Sequence, residues 1–132
     1  MRYTAHCASV LHYHLVWIPR YRKPVLKDQV SVSLRKLVGA IALQYHMDVV
    51  ACEILPDHVH LFVSAPPKYA PADLARVFKG ITSRRLMQAF PHLRRVYWGK
   101  RATLWAEGYS VGTAGHVSAE TIKRYIEESQ GH

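Results

Sequence analysis

The chain has 132 residues, 49% of them hydrophobic and 20% charged, a balance that excludes a disordered chain and suits one domain with its own core. Its 18 Lys and Arg against 9 Asp and Glu give a formal net charge of +9, which points to a polyanionic partner, chiefly nucleic acid. Cys7 and Cys52 are far apart in sequence, so neither a zinc knuckle nor a disulfide framework is indicated and a reducing cytoplasm is expected.

No signal-peptide pattern opens the chain. The apolar stretch over residues 10–18 is interrupted by His12 and His14 and is too short to span a bilayer, so no membrane association is expected. Those residues alternate and are rich in β-branched and aromatic side chains, which predicts a first strand. Arg20-Tyr21-Arg22-Lys23-Pro24 reads as a basic loop closed by proline. Residues 27–46 repeat apolar side chains at helical spacing (Val30, Leu34, Leu37, Val38, Ile41) and predict a long amphipathic helix. Residues 47–55 form a second strand. Pro56-Asp57 makes a tight turn into a third strand, close enough that the two must form a hairpin. Pro66-Pro67 ends it.

Pro71 then opens a second helix with Asp73 in its first turn. It runs to about Ala89, with Leu74, Val77, Phe78 and Ile81 on one side, and Phe90-Pro91 stops it. Residues 92–108 read mostly as loop with a short strand, and 109–114 as a fourth strand. Ser118 caps a last helix that carries Glu120 in its first turn and reaches about Ser129. The order β-α-β-β-α-β plus a C-terminal helix predicts an α+β, ferredoxin-like fold. Two helices cover one face of an antiparallel sheet and leave the other open for a ligand.

The third strand opens with His58-Val59-His60. Strand side chains alternate, so the two imidazoles share one face, ~7 Å apart along the chain. That spacing suits a divalent ion able to polarise a phosphate or ready a leaving group. Val59, Leu61 and Val63 take the core face, and Asp57 is a candidate acceptor for a ring N–H. A second triplet, His12-Tyr13-His14, lies on the first strand, which neighbours the third in this topology. Four histidines are therefore expected close together. His58 and His60 are preferred as ligands, with His12 and His14 structural or DNA-contacting. Tyr125 shares a stripe of the last helix with Ile122, Ile126 and Ser129. By pattern alone an isolated His-x-His in a strand is more often structural, and Tyr125 reads as a packing residue.

Longer motifs say more. Leu11-His12-Tyr13-His14-Leu15-Val16-Trp17 with Arg20-Tyr21-Arg22, then Leu55-Pro56-Asp57-His58-Val59-His60-Leu61, resemble the single-tyrosine HUH transposases of the TnpA type, from the insertion-sequence 200/605 family. The resemblance continues through Phe78-Lys79-Gly80-Ile81-Thr82-Ser83-Arg84-Arg85-Leu86, Phe90-Pro91-His92-Leu93, Tyr97-Trp98-Gly99, Leu104-Trp105 and Ser110-Val111-Gly112 to Ile122-Lys123-Arg124-Tyr125-Ile126-Glu127. It implies one HUH transposase domain over residues 1–132. It further implies a homodimer that cuts and rejoins single-stranded DNA at hairpin-marked ends. Each active site would combine the histidines of one subunit with the tyrosine of the other. Carried over, His58 and His60 hold a divalent ion, Mg²⁺ or Mn²⁺, and Tyr125 attacks the scissile phosphate to leave a 5′-phosphotyrosine.

The family usually places a glutamine four residues after the tyrosine as third ligand. Here Ser129 stands there and Gln130 follows. Five steps put Gln130 about 140° around a helix from Tyr125, so it ligates only if the final turn unwinds or widens; Glu128, about 60° away, is a substitute. A DNA path is expected along Arg20, Arg22 and Lys23, then Lys79, Arg84 and Arg85, then Arg94, Arg95, Lys100 and Arg101, interleaved with Tyr21, Tyr97, Trp98 and Trp105. Two other readings stay open. One is a non-catalytic binder of single-stranded nucleic acid, although the third strand lacks the Lys/Arg-Gly-Phe type of motif of RNA-binding sheets. The other is a domesticated relative that cleaves chromosomal hairpins.

Overall fold

A computed structural model of the chain describes residues 10–97 and 103–113, the last four through their backbone. The elements are β1 (Leu11–Trp17), α1 (Asp28–Gln44), β2 (Asp48–Leu55), β3 (His58–Ala65), α2 (Pro71–Ala89), α3 (Pro91–Val96) and β4 (Ser110–Thr113). The four strands form one sheet in the order β2-β3-β1-β4, and every neighbouring pair is antiparallel. This is the expected ferredoxin-like arrangement. The expected last helix, with Tyr125 and Gln130, lies outside the described residues, as do Trp98, Lys100 and Arg101.

Alternation along the strands decides which face is covered. Tyr13, Leu15 and Trp17 of β1 and Val59, Leu61 and Val63 of β3 are buried in one cluster. Val30, Leu34, Val38 and Ile41 of α1 join it, with Leu74, Phe78 and Leu86 of α2. Both helices therefore lie on the same side, and removal of these side chains from water is the main stabilising term. A bulge in β2 between Val49 and Ala51 resets the alternation, so that Cys52 and Ile54 pack inward.

The helix ends follow local chemistry. Asp73 accepts a hydrogen bond from the Ala70 backbone N–H at 2.9 Å, supplying a carboxylate where α2 needs one. After α1, His46 adopts a left-handed conformation (φ 59°), and the Met47 N–H reaches back to the Ala42 carbonyl at 2.8 Å.

The region expected to be loop is more ordered than its composition suggested. Pro91 both ends α2 and begins the short helix α3, since its fixed φ and missing N–H suit a first helical position. Leu93, fully buried, anchors it. Residues 103–108 are stitched between the end of β1 and α2. Trp105 forms an isolated bridge with Pro19. The Arg20 N–H donates to the Leu104 carbonyl, and the Ala106 N–H to the Ile18 carbonyl, both at 2.9 Å. Trp105 Nε1–H donates to Thr82 Oγ1 at 2.9 Å, and its ring meets Trp17 edge-on. Tyr97 and Trp105 are buried, which removes them from the expected base-stacking set; Tyr21 remains 72% exposed. Among the described residues no helix is long and apolar enough to cross a membrane.

Candidate active site on the open sheet face

With both helices on one side, the alternate residues of the central strands face the other. On β3 these are His58, His60 and Phe62; on β1, His12, His14 and Val16. The antiparallel register sets His14 opposite Phe62 and Val16 opposite His60, and β2 places Glu53 opposite His60. The two His-x-His triplets converge only in part: His14 meets His60, whereas His12 lies opposite Ser64, at the far end of β3 from His58, so three of the four expected histidines gather.

The geometry assigns each ring a position. The His58 and His60 ring centroids are 4.8 Å apart at 72°. His58 Nδ1 lies 2.8 Å from Asp57 Oδ1, and Asp57 Oδ2 accepts from Arg22 Nε at 3.1 Å. His60 Nδ1 lies 3.1 Å from His14 Nε2. The His14 ring is stacked on Phe62, with centroids 4.0 Å apart and planes within 11°. Both candidate ligands thus have Nδ1 engaged by a protein partner, and among the described residues neither makes a hydrogen bond through Nε2. His12 Nδ1 is buried and makes no hydrogen bond among the described residues.

Electrostatics suit this arrangement. Burial pushes the His14 pKa down, and the neighbouring His60 adds to the effect. Burial likewise lowers His60, helped by His58 and opposed by Glu53. Neutral imidazole is the form that can coordinate a cation. The hydrogen bond to His58 holds the Asp57 carboxyl below the usual carboxylate range, with the Arg22 charge contributing. Two imidazoles side by side fit a divalent first-row ion, and with added oxygen donors they fit Mg²⁺ or Mn²⁺. Among the described residues no group of three or more His, Cys, Asp or Glu side chains gathers to hold such an ion.

The basic residues divide. Arg22 is tied to Asp57, so it supports the histidine site directly. Its placement depends on a single 3-10 turn, Arg20–Arg22, in which Tyr21 and Arg22 are left-handed (φ 60° and 52°). Arg20 lies over the Tyr21 ring, 5.3 Å from its centroid. Lys79 donates to the carbonyls of Ala106 and Gly108 at 2.9 and 2.8 Å, which ties down the segment after α3. Burial lowers its pKa. Lys79, Arg84 and Arg94 line a cleft of about 540 Å³ beside Trp105. Arg85, one helical step from Arg84, borders a different cleft with Lys36, and Lys23 borders a third with Lys27 and His92. Of the cations expected along one path, Lys79, Arg84 and Arg94 thus line one cleft, Arg85 an adjoining one that shares Gln88 with it, and Lys23 a third.

Sequence reasoning did not reach three features. Glu53 is 4% exposed, and its signal was an acid between inward-facing Cys52 and Ile54. The Arg22–Asp57 pair spans 35 positions and leaves no local mark. The pairing of His14 with His60 required the strand register.

A basic ferredoxin-like domain with two paired imidazoles on its open face has the features of an HUH-type DNA-processing domain. The family described as IS200-like transposase matches residues 7–129, and the chain belongs to that family. It is 38% identical over 117 residues to the ISDra2 transposase TnpA of Deinococcus radiodurans, covering 89% of this chain and 82% of that one. It is 26% identical over 129 residues to the transposase of insertion sequence element IS200 of Salmonella typhimurium, covering 96% and 84%. A crystal structure of a Deinococcus radiodurans transposase superposes with a TM-score of 0.74 at 38% identity, over 91% of each chain. A REP-associated tyrosine transposase bound to a REP hairpin shares the fold, with a TM-score of 0.59 at 14% identity over 88% of this chain and 62% of that one.

Proposed function

We propose that this transposase cuts and rejoins single-stranded DNA at hairpin-marked element ends through a 5′-phosphotyrosine on Tyr125. The observation that carries the reading is the pair His58 and His60, each with Nδ1 engaged and Nε2 left for a ligand. They would hold Mg²⁺ or Mn²⁺, with Gln130, or Glu128 in its place, as a further oxygen donor. When bound, the ion supplies Lewis-acid stabilisation of charge on the scissile phosphate.

Tyr125 supplies the nucleophile. Its phenol, with an ordinary pKa of ~10, gives its proton to water as Oη bonds to phosphorus; the P–O3′ bond breaks and O3′ takes a proton from water, releasing a 3′-hydroxyl. A tyrosine rather than water preserves the phosphodiester energy, so a 3′-hydroxyl can later displace the tyrosine and join strands without ATP. A hairpin substrate is supported by the fold shared with the transposase bound to a REP hairpin. The basic surface, including Arg84 and Lys23, would take the phosphates.

The test is incubation with labelled single-stranded DNA carrying candidate element ends and Mg²⁺. A covalent protein–DNA adduct is expected from the wild type and none from Tyr125→Phe, with DNA binding retained. His58→Ala and His60→Ala should each abolish cleavage and weaken metal binding. Adduct formation by Tyr125→Phe, or normal cutting by both histidine variants, overturns the proposal.

A further inference from the structure

We infer that His14 is a positioning residue for His60: it accepts a hydrogen bond from His60 Nδ1–H and thereby leaves the Nε2 lone pair of His60 free for the ion. The inference rests on the proposed role of His60 as a ligand and adds a residue to which only structural or DNA-contacting roles were given. Its basis is geometric. His60 Nδ1 and His14 Nε2 are 3.1 Å apart, a hydrogen-bond distance that requires one proton between them. If His14 donates that proton, His60 carries its own proton on Nε2 and cannot coordinate through it. If His60 donates, Nε2 is free.

The second arrangement makes the two ligands alike. His58 Nδ1 is engaged by the Asp57 carboxylate, which can only accept from it, so His58 also presents Nε2. One ligand is thus oriented by an anion and the other by a neutral ring. A second carboxylate in place of His14 would add negative charge beside Glu53, which already faces His60 across the strands. His14 can serve because its own ring is fixed. It stacks on Phe62 at 4.0 Å, and its strand position is set by pairing with β3 on one side and β4 on the other. A free histidine in water favours the Nε2–H tautomer, so His60 without this partner would favour the form that must shift its proton before Nε2 can coordinate.

The experiment reads the tautomer directly. Long-range ¹H–¹⁵N correlation spectra of the imidazole rings are recorded on metal-free protein at about pH 8, above the ordinary histidine range. Wild type should show His60 protonated on Nδ1. In His14→Leu, which offers no acceptor, the His60 proton should move to Nε2, while His58 stays on Nδ1 as an internal control. His14→Gln, whose amide oxygen can replace the acceptor, should restore the wild-type pattern. Mn²⁺ titration should then show binding weakened about 10- to 100-fold in His14→Leu and close to wild type in His14→Gln. A wild-type His60 already protonated on Nε2, or a His60 spectrum unchanged in His14→Leu, overturns the inference while leaving the metal reading intact. Failure of the wild type to bind Mn²⁺ overturns the metal reading and the coordination role with it; the spectra then decide the hydrogen bond alone.

Discussion

His14 and His60 sit on the open sheet face with pKa values held below the ordinary 6.5, chiefly by burial. The sign of the pH effect follows. The unfolded chain binds protons on these rings more readily than the folded one, so stability rises with pH through that window. The contribution is complete above about 6.5 and is lost as pH falls through the lower folded values. Metal-free protein should therefore show a falling urea midpoint between about pH 7 and 5, and His14→Gln should flatten part of the slope. An identical slope in both proteins would show that other groups govern acid sensitivity. At this scale the sequence was readable where chemistry is periodic. His58 and His60 share a face because strand side chains alternate, and that placement was legible from the triplet itself, whereas the ligand role came from the resemblance. The partners that orient the rings were not readable. Arg22 reaches Asp57 across 35 positions from a left-handed turn, and His14 meets His60 only through the strand register.

Lys79 shows how an element can claim a side chain that composition assigns to a ligand. Its ammonium holds two carbonyls of the segment packed on α2, whereas Arg84, five residues further along the helix, is exposed beside the same cleft. Lys79→Ala should therefore cost about 1–2 kcal/mol of stability, because charged hydrogen bonds to the half-buried Ala106 and the exposed Gly108 carbonyls are lost. Arg84→Ala should stay within about 0.5 kcal/mol and instead weaken DNA binding. Equal urea midpoints for the two variants would contradict the structural role of Lys79. The strands and the two long helices were legible because their periodicities extend over many residues. The bounds expected for α2, 71 and 89, are those observed. α3 was missed because its six residues are too few to show a period, and proline, read as a stop, also serves as a start. The stitched segment 103–108 was missed because its order comes from contacts with β1 and α2 rather than from its own sequence.

For the whole molecule, the net charge of +9 sets the strength of the field and the fold sets its distribution. The described cations border more than one groove, so positive charge is spread over the surface rather than confined to one cleft. Binding to hairpin DNA should then weaken steeply between low and physiological salt, and duplex of equal length should bind less well. No salt dependence, or equal affinity for plain duplex, would argue against a single-stranded path over these grooves. The homodimer with shared sites that the resemblance implies has its own test. If each site takes histidines from one subunit and tyrosine from the other, mixing His58→Ala, His60→Ala protein with Tyr125→Phe protein should restore cleavage in mixed dimers. Sites built within one chain predict no recovery, and a protein that stays monomeric with DNA bound would exclude shared sites outright.

The left-handed turn at Tyr21 and Arg22 sets two design goals against each other. Each such residue costs roughly 1–2 kcal/mol, because its Cβ crowds the following carbonyl. Glycine at position 21 would relieve that crowding, so Tyr21→Gly should raise the melting temperature of the metal-free protein. The same substitution frees the backbone that aims Arg22 at Asp57, and Mn²⁺ should then bind less tightly. A thermostability screen run without metal or DNA would therefore select variants with a poorer catalyst, and a screen for adduct formation would reject them. Tyr21→Gly protein that is both more heat-resistant and equally avid for Mn²⁺ would show that the turn's strain serves no purpose at the site.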